Sequence, residues 1–263
     1  MSFPEPHIVQ PKASHTHTVI LLHGRGSNGP EFAEEFFSLT TSQNKSLEAH
    51  LPNWRWVFPT SKDRWSTTFK EDLPAWFDIY STSDPSERQD LQMEGLREST
   101  MYIKELIKRE IELLDGDSER LVLGGMSQGM SIAFCASDIG ARGKRIGGFM
   151  GFCGWLASAG DMEDHLKWLD EESAISATLG ARGTDEEVDD GPSTPVLLIH
   201  GTDDAWVNVE LGRQARRILR KMGLNVDWNE YTGAENEGHW IKDPEGFDKI
   251  LAFLKNAVPK RGE

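Results

Sequence analysis

Positive charge is in short supply in this chain of 263 residues: 28 Lys and Arg stand against 43 Asp and Glu, a formal net charge of −15. A chain this acidic is repelled by phosphate backbones and by strongly anionic membranes, which excludes nucleic acid as a main partner. Cysteine is almost absent, with only Cys135 and Cys153. Two thiols are too few for a disulfide framework, and both sit in apolar surroundings where buried free thiols are expected. No apolar run approaches the length of a membrane span, so integral membrane association is not expected. Residues 1–11 lack the basic-then-apolar order of a signal peptide, residue 2 is Ser, and the end Lys-Arg-Gly-Glu is no prenylation box. The expected location is the cytoplasm.

What the chain does have is 38% hydrophobic residues, arranged in a strand–helix alternation. Continuous apolar runs at 18–22, 121–123, 147–152 and 195–199 read as strands buried on both faces. Further strands are expected at 7–9, 54–58 and 226–231. Between them lie helix patterns at 31–39, 94–114, 131–136 and 209–222, and a last one carries Phe247, Ile250, Leu251 and Leu254. There is no internal repeat and no Pro/Gly/Ser linker. The pattern predicts an α/β fold in one domain, 1–263, with a mostly parallel central sheet and helices on both faces. Two segments break the rhythm. Residues 60–88 form a long aromatic-bearing loop with Trp65, Phe69, Trp76, Phe77 and Tyr80, and loops of that length are commonly functional. Residues 161–194 contain the tract Asp185-Glu186-Glu187-Val188-Asp189-Asp190 and read as a mobile acidic insertion.

The chemistry centres on Gly125-Met126-Ser127-Gln128-Gly129, a G-x-S-x-G sequence placed between an apolar strand and a helix. In that setting the serine sits on a strained strand-to-helix turn with its hydroxyl clear of the sheet. A serine is a weak nucleophile by itself and needs a base, which in turn needs an orienting carboxylate. In α/β hydrolases these follow in the order Ser, Asp/Glu, His, each after a strand. Three histidines come after Ser127: His165, His200 and His239. Only His239 lies between the last strand and the last helix, where the base belongs. The acid must follow the 195–199 strand, and spacing alone leaves Asp203 and Asp204 open.

These residues resemble the phospholipase/carboxylesterase family of serine hydrolases, which includes the acyl-protein thioesterases. The likeness runs from about residue 18 to 254. It rests on Leu22-His23-Gly24-x-Gly26, Trp76-Phe77-Asp78, Gly124-Gly125-Met126-Ser127-Gln128-Gly129, Gly154-Trp155-Leu156, His200-Gly201-x-x-Asp204-x-x-Val207 and Gly238-His239. Where thioesterases of the family have Leu-Gly-Asp after His-Gly, this chain has Arg25-Gly26-Ser27. The resemblance implies an α/β-hydrolase fold and a triad of Ser127, Asp204 and His239. It also implies oxyanion donors in the backbone N–H groups of Arg25 and Gln128, and no metal or cofactor. The implied partner is an acyl ester or thioester, small or lipid-like, with an S-acylated protein among the candidates. Lysophospholipase activity, or a hydrolase-fold binding protein of low turnover, are the alternatives. Four tryptophans from four segments, Trp76, Trp155, Trp206 and Trp240, are expected to converge around Ser127 as an apolar acyl pocket, with at least one packing under a loop instead.

Overall fold

The computed structural model describes residues 2–139, 145–164, 166 and 193–256. Most of the acidic insertion, and His165, lie outside them. The apolar runs form strands β1 (His7–Val9), β2 (His17–Leu22), β3 (Trp54–Phe58), β6 (Leu121–Met126), β7 (Gly148–Phe152), β8 (Val196–Gly201) and β9 (Val226–Tyr231). They make one sheet in the order β1-β3-β2-β6-β7-β8-β9. β1 pairs antiparallel to β3, and every other pairing is parallel.

The unbroken apolar character of these strands follows from burial on both faces, because successive side chains alternate sides. Ile20 and Leu22 pack with Ile103 and Leu106 of α3 (Met93–Leu113), Ile132 of α4 (Gln128–Ser137) and Ile218 of α5 (Val209–Lys221). Their neighbours Val19 and Leu21 pack on the other side with Phe32 and Phe36 of α1 (Gly29–Ser38) and with Phe247 and Ile250 of α6 (Glu245–Asn256). One short helix, α2 (Leu47–His50), precedes β3. α1 starts where Asn28 accepts a hydrogen bond from the Glu31 N–H, with Pro30 in its first turn.

Residues 60–88 are not simply a loop. They contain a two-stranded antiparallel sheet of their own, β4 (Lys62–Ser66) with β5 (Glu71–Ala75). The pair was hard to foresee because both strands are polar and β5 contains Pro74. Beyond β5 the chain turns inward, and Trp76, Phe77 and Ile79 are fully buried. Parallel strands all end on one side of the sheet, so the segments after β2, β6, β7, β8 and β9 meet at one edge, where such folds bind ligands.

Candidate active site

Ser127 occupies the turn from β6 into α4 with φ 53° and ψ −120°. That left-handed φ is unfavourable for a residue with a Cβ and costs on the order of 1–3 kcal/mol. Packing enforces it. A Cβ on Gly125 would lie 2.4 Å from the Gly129 carbonyl carbon, and one on Gly129 would lie 2.5 Å from the carbonyl oxygens of Leu22 and His23. Strand, turn and helix thus press together at positions where only glycine fits. The Ser127 N–H donates to the Phe152 carbonyl at 2.8 Å, which ties the turn to β7.

His239 and Asp204 come together as the chain order requires. His239 Nδ1 lies 2.7 Å from Asp204 Oδ2. An ionised carboxylate only accepts, so the proton sits on Nδ1 and Nε2 is left as the basic nitrogen. The Asp204 side chain is completely shielded from solvent, while that of His239 is 17% exposed. Asp204 is held from all sides: Oδ1 accepts the N–H groups of Trp206 at 2.9 Å and Val207 at 2.8 Å. Oδ2 also lies 3.3 Å from His200 Nε2. Burial pushes the Asp204 pKa up, but the bonds from His200 and His239, the His239 charge and the Val207 N–H outweigh it and hold the carboxyl well below the usual carboxylate range. Asp203 has a different task, with Oδ2 accepting the Gly233 N–H at 2.7 Å to brace the loop after β9. His200, which the chain order passes over as the base, sits beside the acid instead. Its Nε2 faces two acceptors, the Val207 carbonyl at 3.0 Å and Asp204 Oδ2, so it carries the proton there.

Arg25 and Gln128 flank the serine. A Cβ on Gly24 would sit 3.4 Å from Ser127 Cβ, so the backbone entering Arg25 runs alongside Ser127. Gln128 is the first residue of α4, where backbone N–H groups have no partner within the helix and the dipole is positive. Both segments are braced by residues of the sequence motifs. The Gln128 amide accepts from the Trp76 N–H at 2.8 Å and donates to the Phe77 carbonyl at 2.7 Å. The Trp76 indole donates to the His23 carbonyl at 2.8 Å, and Ser99 donates to the Trp76 carbonyl at 2.6 Å. His23 Nε2 accepts the Ser61 N–H at 3.0 Å, so its proton is on Nδ1, which lies 2.6 Å from the Gly24 carbonyl. Asp78 accepts from the Thr67 N–H and hydroxyl and so anchors the turn between β4 and β5.

A cleft of about 540 Å³ opens over Ser127 and His239. Trp155, Trp206 and Trp240 line it, together with Phe32, Phe69 and Leu73. Trp76 does not line it: expected as a substrate contact, it lies in the core at 0% exposure and serves the brace just described. Trp155 is buried, and its indole N–H meets no acceptor among the described residues. Phe69, absent from the expected set, reaches the cleft from the turn after β4, which a polar strand pair concealed.

Among the described residues, Cys153, Asp204 and His239 place their donor atoms within 4.8 Å of one another. As a metal site this set is poorly suited. Burial drives the Cys153 thiol up to about 12, away from the thiolate a metal needs. The Asp204 oxygens are already engaged by N–H donors.

A parallel sheet carrying a serine elbow, followed in order by a buried Asp and a His bonded to it, defines an α/β hydrolase. The model of the Phospholipase/Carboxylesterase family matches residues 4–189, and the chain belongs to that family. Acyl-protein thioesterase 1 of Gibberella zeae is 28% identical over 262 residues, covering 97% of this chain and 96% of its own. The protein of the same name from Kluyveromyces lactis is 30% identical over 255 residues, covering 95% and 96%. The crystal structure of Zea mays acyl-protein thioesterase 2 superposes with a TM-score of 0.69 at 25% identity, covering 98% of this chain and 100% of that one. The chain is therefore a serine hydrolase of ester or thioester bonds. Among the described residues no helix is long and apolar enough to cross a membrane.

Proposed function

We propose that Ser127, His239 and Asp204 form the catalytic triad and that the substrate is an ester or thioester with an apolar acyl chain, carried by a lipid-like molecule or an S-acylated protein. The observation that carries this reading is the 2.7 Å bond from His239 Nδ1 to a fully shielded Asp204, over the cleft that also holds the strained Ser127. Ser127 attacks the acyl carbonyl while His239 Nε2 takes its proton. Asp204 fixes the tautomer and stabilises the imidazolium. The Arg25 and Gln128 N–H groups hold the oxyanion. The imidazolium then protonates the leaving alcohol or thiol, and water, activated by the same nitrogen, releases the acid.

The aromatic lining of the cleft supports the preference for apolar chains. The names of the thioesterase relatives support a protein-bound thioester as one source. The single seven-stranded sheet supports reading the chain as one domain, and two free cysteines fit a reducing compartment, the cytosol. The test is labelling with a fluorophosphonate probe, followed by deacylation kinetics on a simple ester. Ser127→Ala should abolish both with the fold intact, and Asp204→Asn should cost far more than Asp203→Asn. Labelling without turnover would point to a binding protein, and a larger effect at Asp203 would refute the choice of acid.

A further inference from the structure

Arg25 enters the proposed reaction through its backbone, yet its side chain has a feature the triad does not use. The guanidinium lies over the Phe69 ring, 4.7 Å from the centroid, and both residues line the cleft. It makes no hydrogen bond or ion pair with any described residue. Burial lowers its pKa while Asp78 acts in the opposite direction, yet an arginine remains charged throughout. Asp78 does not neutralise it by contact, since that carboxylate is taken up by the Thr67 N–H at 3.1 Å and hydroxyl at 2.5 Å. The aromatic face orients the planar fork and leaves its N–H donors unused. The carboxyl side chains among the described residues of the cleft lining are those of Glu35 and Glu237. Glu35 is crowded enough that burial, with repulsion from Glu31, Glu235 and Glu34, raises its pKa. Among the described residues that line the cleft, Arg25 is the one Lys or Arg, beside the proposed oxyanion position, in a chain of net charge −15 that otherwise repels anions.

We propose that the Arg25 guanidinium is a docking point for an anionic group of the substrate, a carboxylate or phosphate a few bonds from the scissile carbonyl. This rests on the hydrolase reading above and narrows its substrate class. A guanidinium meets planar or tetrahedral oxyanions through paired N–H donors, which fits a carboxylate or phosphate better than any neutral group. A residue that merely propped up the turn carrying Phe69 would affect charged and neutral substrates alike, so the informative quantity is a ratio.

The experiment uses S-butyryl thioesters of three thiols, followed by thiol release: 3-mercaptopropionate as anion, 2-mercaptoethanol as neutral, thiocholine as cation. A second pair, the mono-adipoyl and hexanoyl thioesters of 2-mercaptoethanol, moves the carboxylate to the acyl side and shows which half of the substrate carries the anion. For one of the two anionic arms, the anionic-to-neutral ratio of kcat/KM should fall about tenfold in Arg25→Gln, the size expected for losing a hydrogen bond to a charged group. Arg25→Lys, which keeps the charge, should retain part of it. In the wild-type protein the same ratio should fall as salt is raised, a readout that stands even if Arg25→Gln does not fold. The thiocholine ester should gain relative to the neutral one in Arg25→Gln. Ratios in both arms that are the same in wild type, Arg25→Gln and Arg25→Lys, or that ignore salt in the wild type, would overturn the assignment. If no thioester turns over and the fluorophosphonate probe leaves Ser127 unlabelled, it is the hydrolase reading that fails.

Discussion

His23 makes a quantitative link between acid and stability. It closes β2 at 0% exposure, and burial carries its pKa from 6.5 down to about 4, against the pull of its bond to the Gly24 carbonyl. The folded-state value lies below the unfolded one. As pH falls through the interval between them, the unfolded chain takes up a proton that the folded protein refuses, so stability declines. The decline begins near the unfolded pKa and is complete below the folded one. The gap between 6.5 and about 4 corresponds to about 3 kcal/mol, without discount for solvent because the ring is enclosed. Protonation at Nε2 would also turn the acceptor of the Ser61 N–H into a donor facing a donor, next to the backbone that leads to Arg25.

The perturbation is His23→Gln, and the assay is urea unfolding from neutral pH to about pH 4. The variant should be the less stable of the two at neutral pH, because buried hydrogen bonds are disturbed. That deficit should shrink by about 3 kcal/mol as pH approaches 4, since only the wild-type protein loses the His23 contribution. Asp204, whose depressed pKa also costs stability in acid, titrates in both proteins and cancels in the difference. Stability curves that stay parallel across the interval would refute the reasoning.

Two further outcomes follow from the site. His200→Phe removes the second donor to Asp204 Oδ2 and leaves the Val207 carbonyl without its partner, so kcat should fall about ten- to hundredfold while KM moves little. His200→Gln, which can still donate, should retain more, and equal losses in the two variants would show that only the ring's bulk matters. Along a series of p-nitrophenyl esters kept below their micelle concentrations, kcat/KM should rise roughly fourfold per methylene until the cleft is filled. A flat profile, or a steady fall from acetate, would contradict an aromatic acyl pocket.

The order Ser127, Asp204, His239 could be read from the chain because each residue follows a strand whose apolar run marks burial on both faces. The same runs made the parallel sheet legible, since only strands covered by helices on both sides can be apolar without alternation. The glycines at 125 and 129 were legible as well, because a backbone packed against backbone tolerates no other residue. What linear order could not decide were contacts between segments far apart in the chain. Two adjacent aspartates look alike until folding brings Gly233 to one and His239 to the other. Trp76 looks like a pocket residue until its indole is seen bonding the His23 carbonyl inside the core. His200, equally, became part of the site only when the turn after β8 folded Asp204 back beneath it. The pairing of Arg25 with Phe69 depends on a polar hairpin whose alternation carries no hydrophobic signal. Local sequence determined which elements form, because burial and backbone sterics act over a few residues. The tertiary structure alone decided which polar groups meet, because a buried donor takes whichever acceptor the packing of distant elements brings within reach.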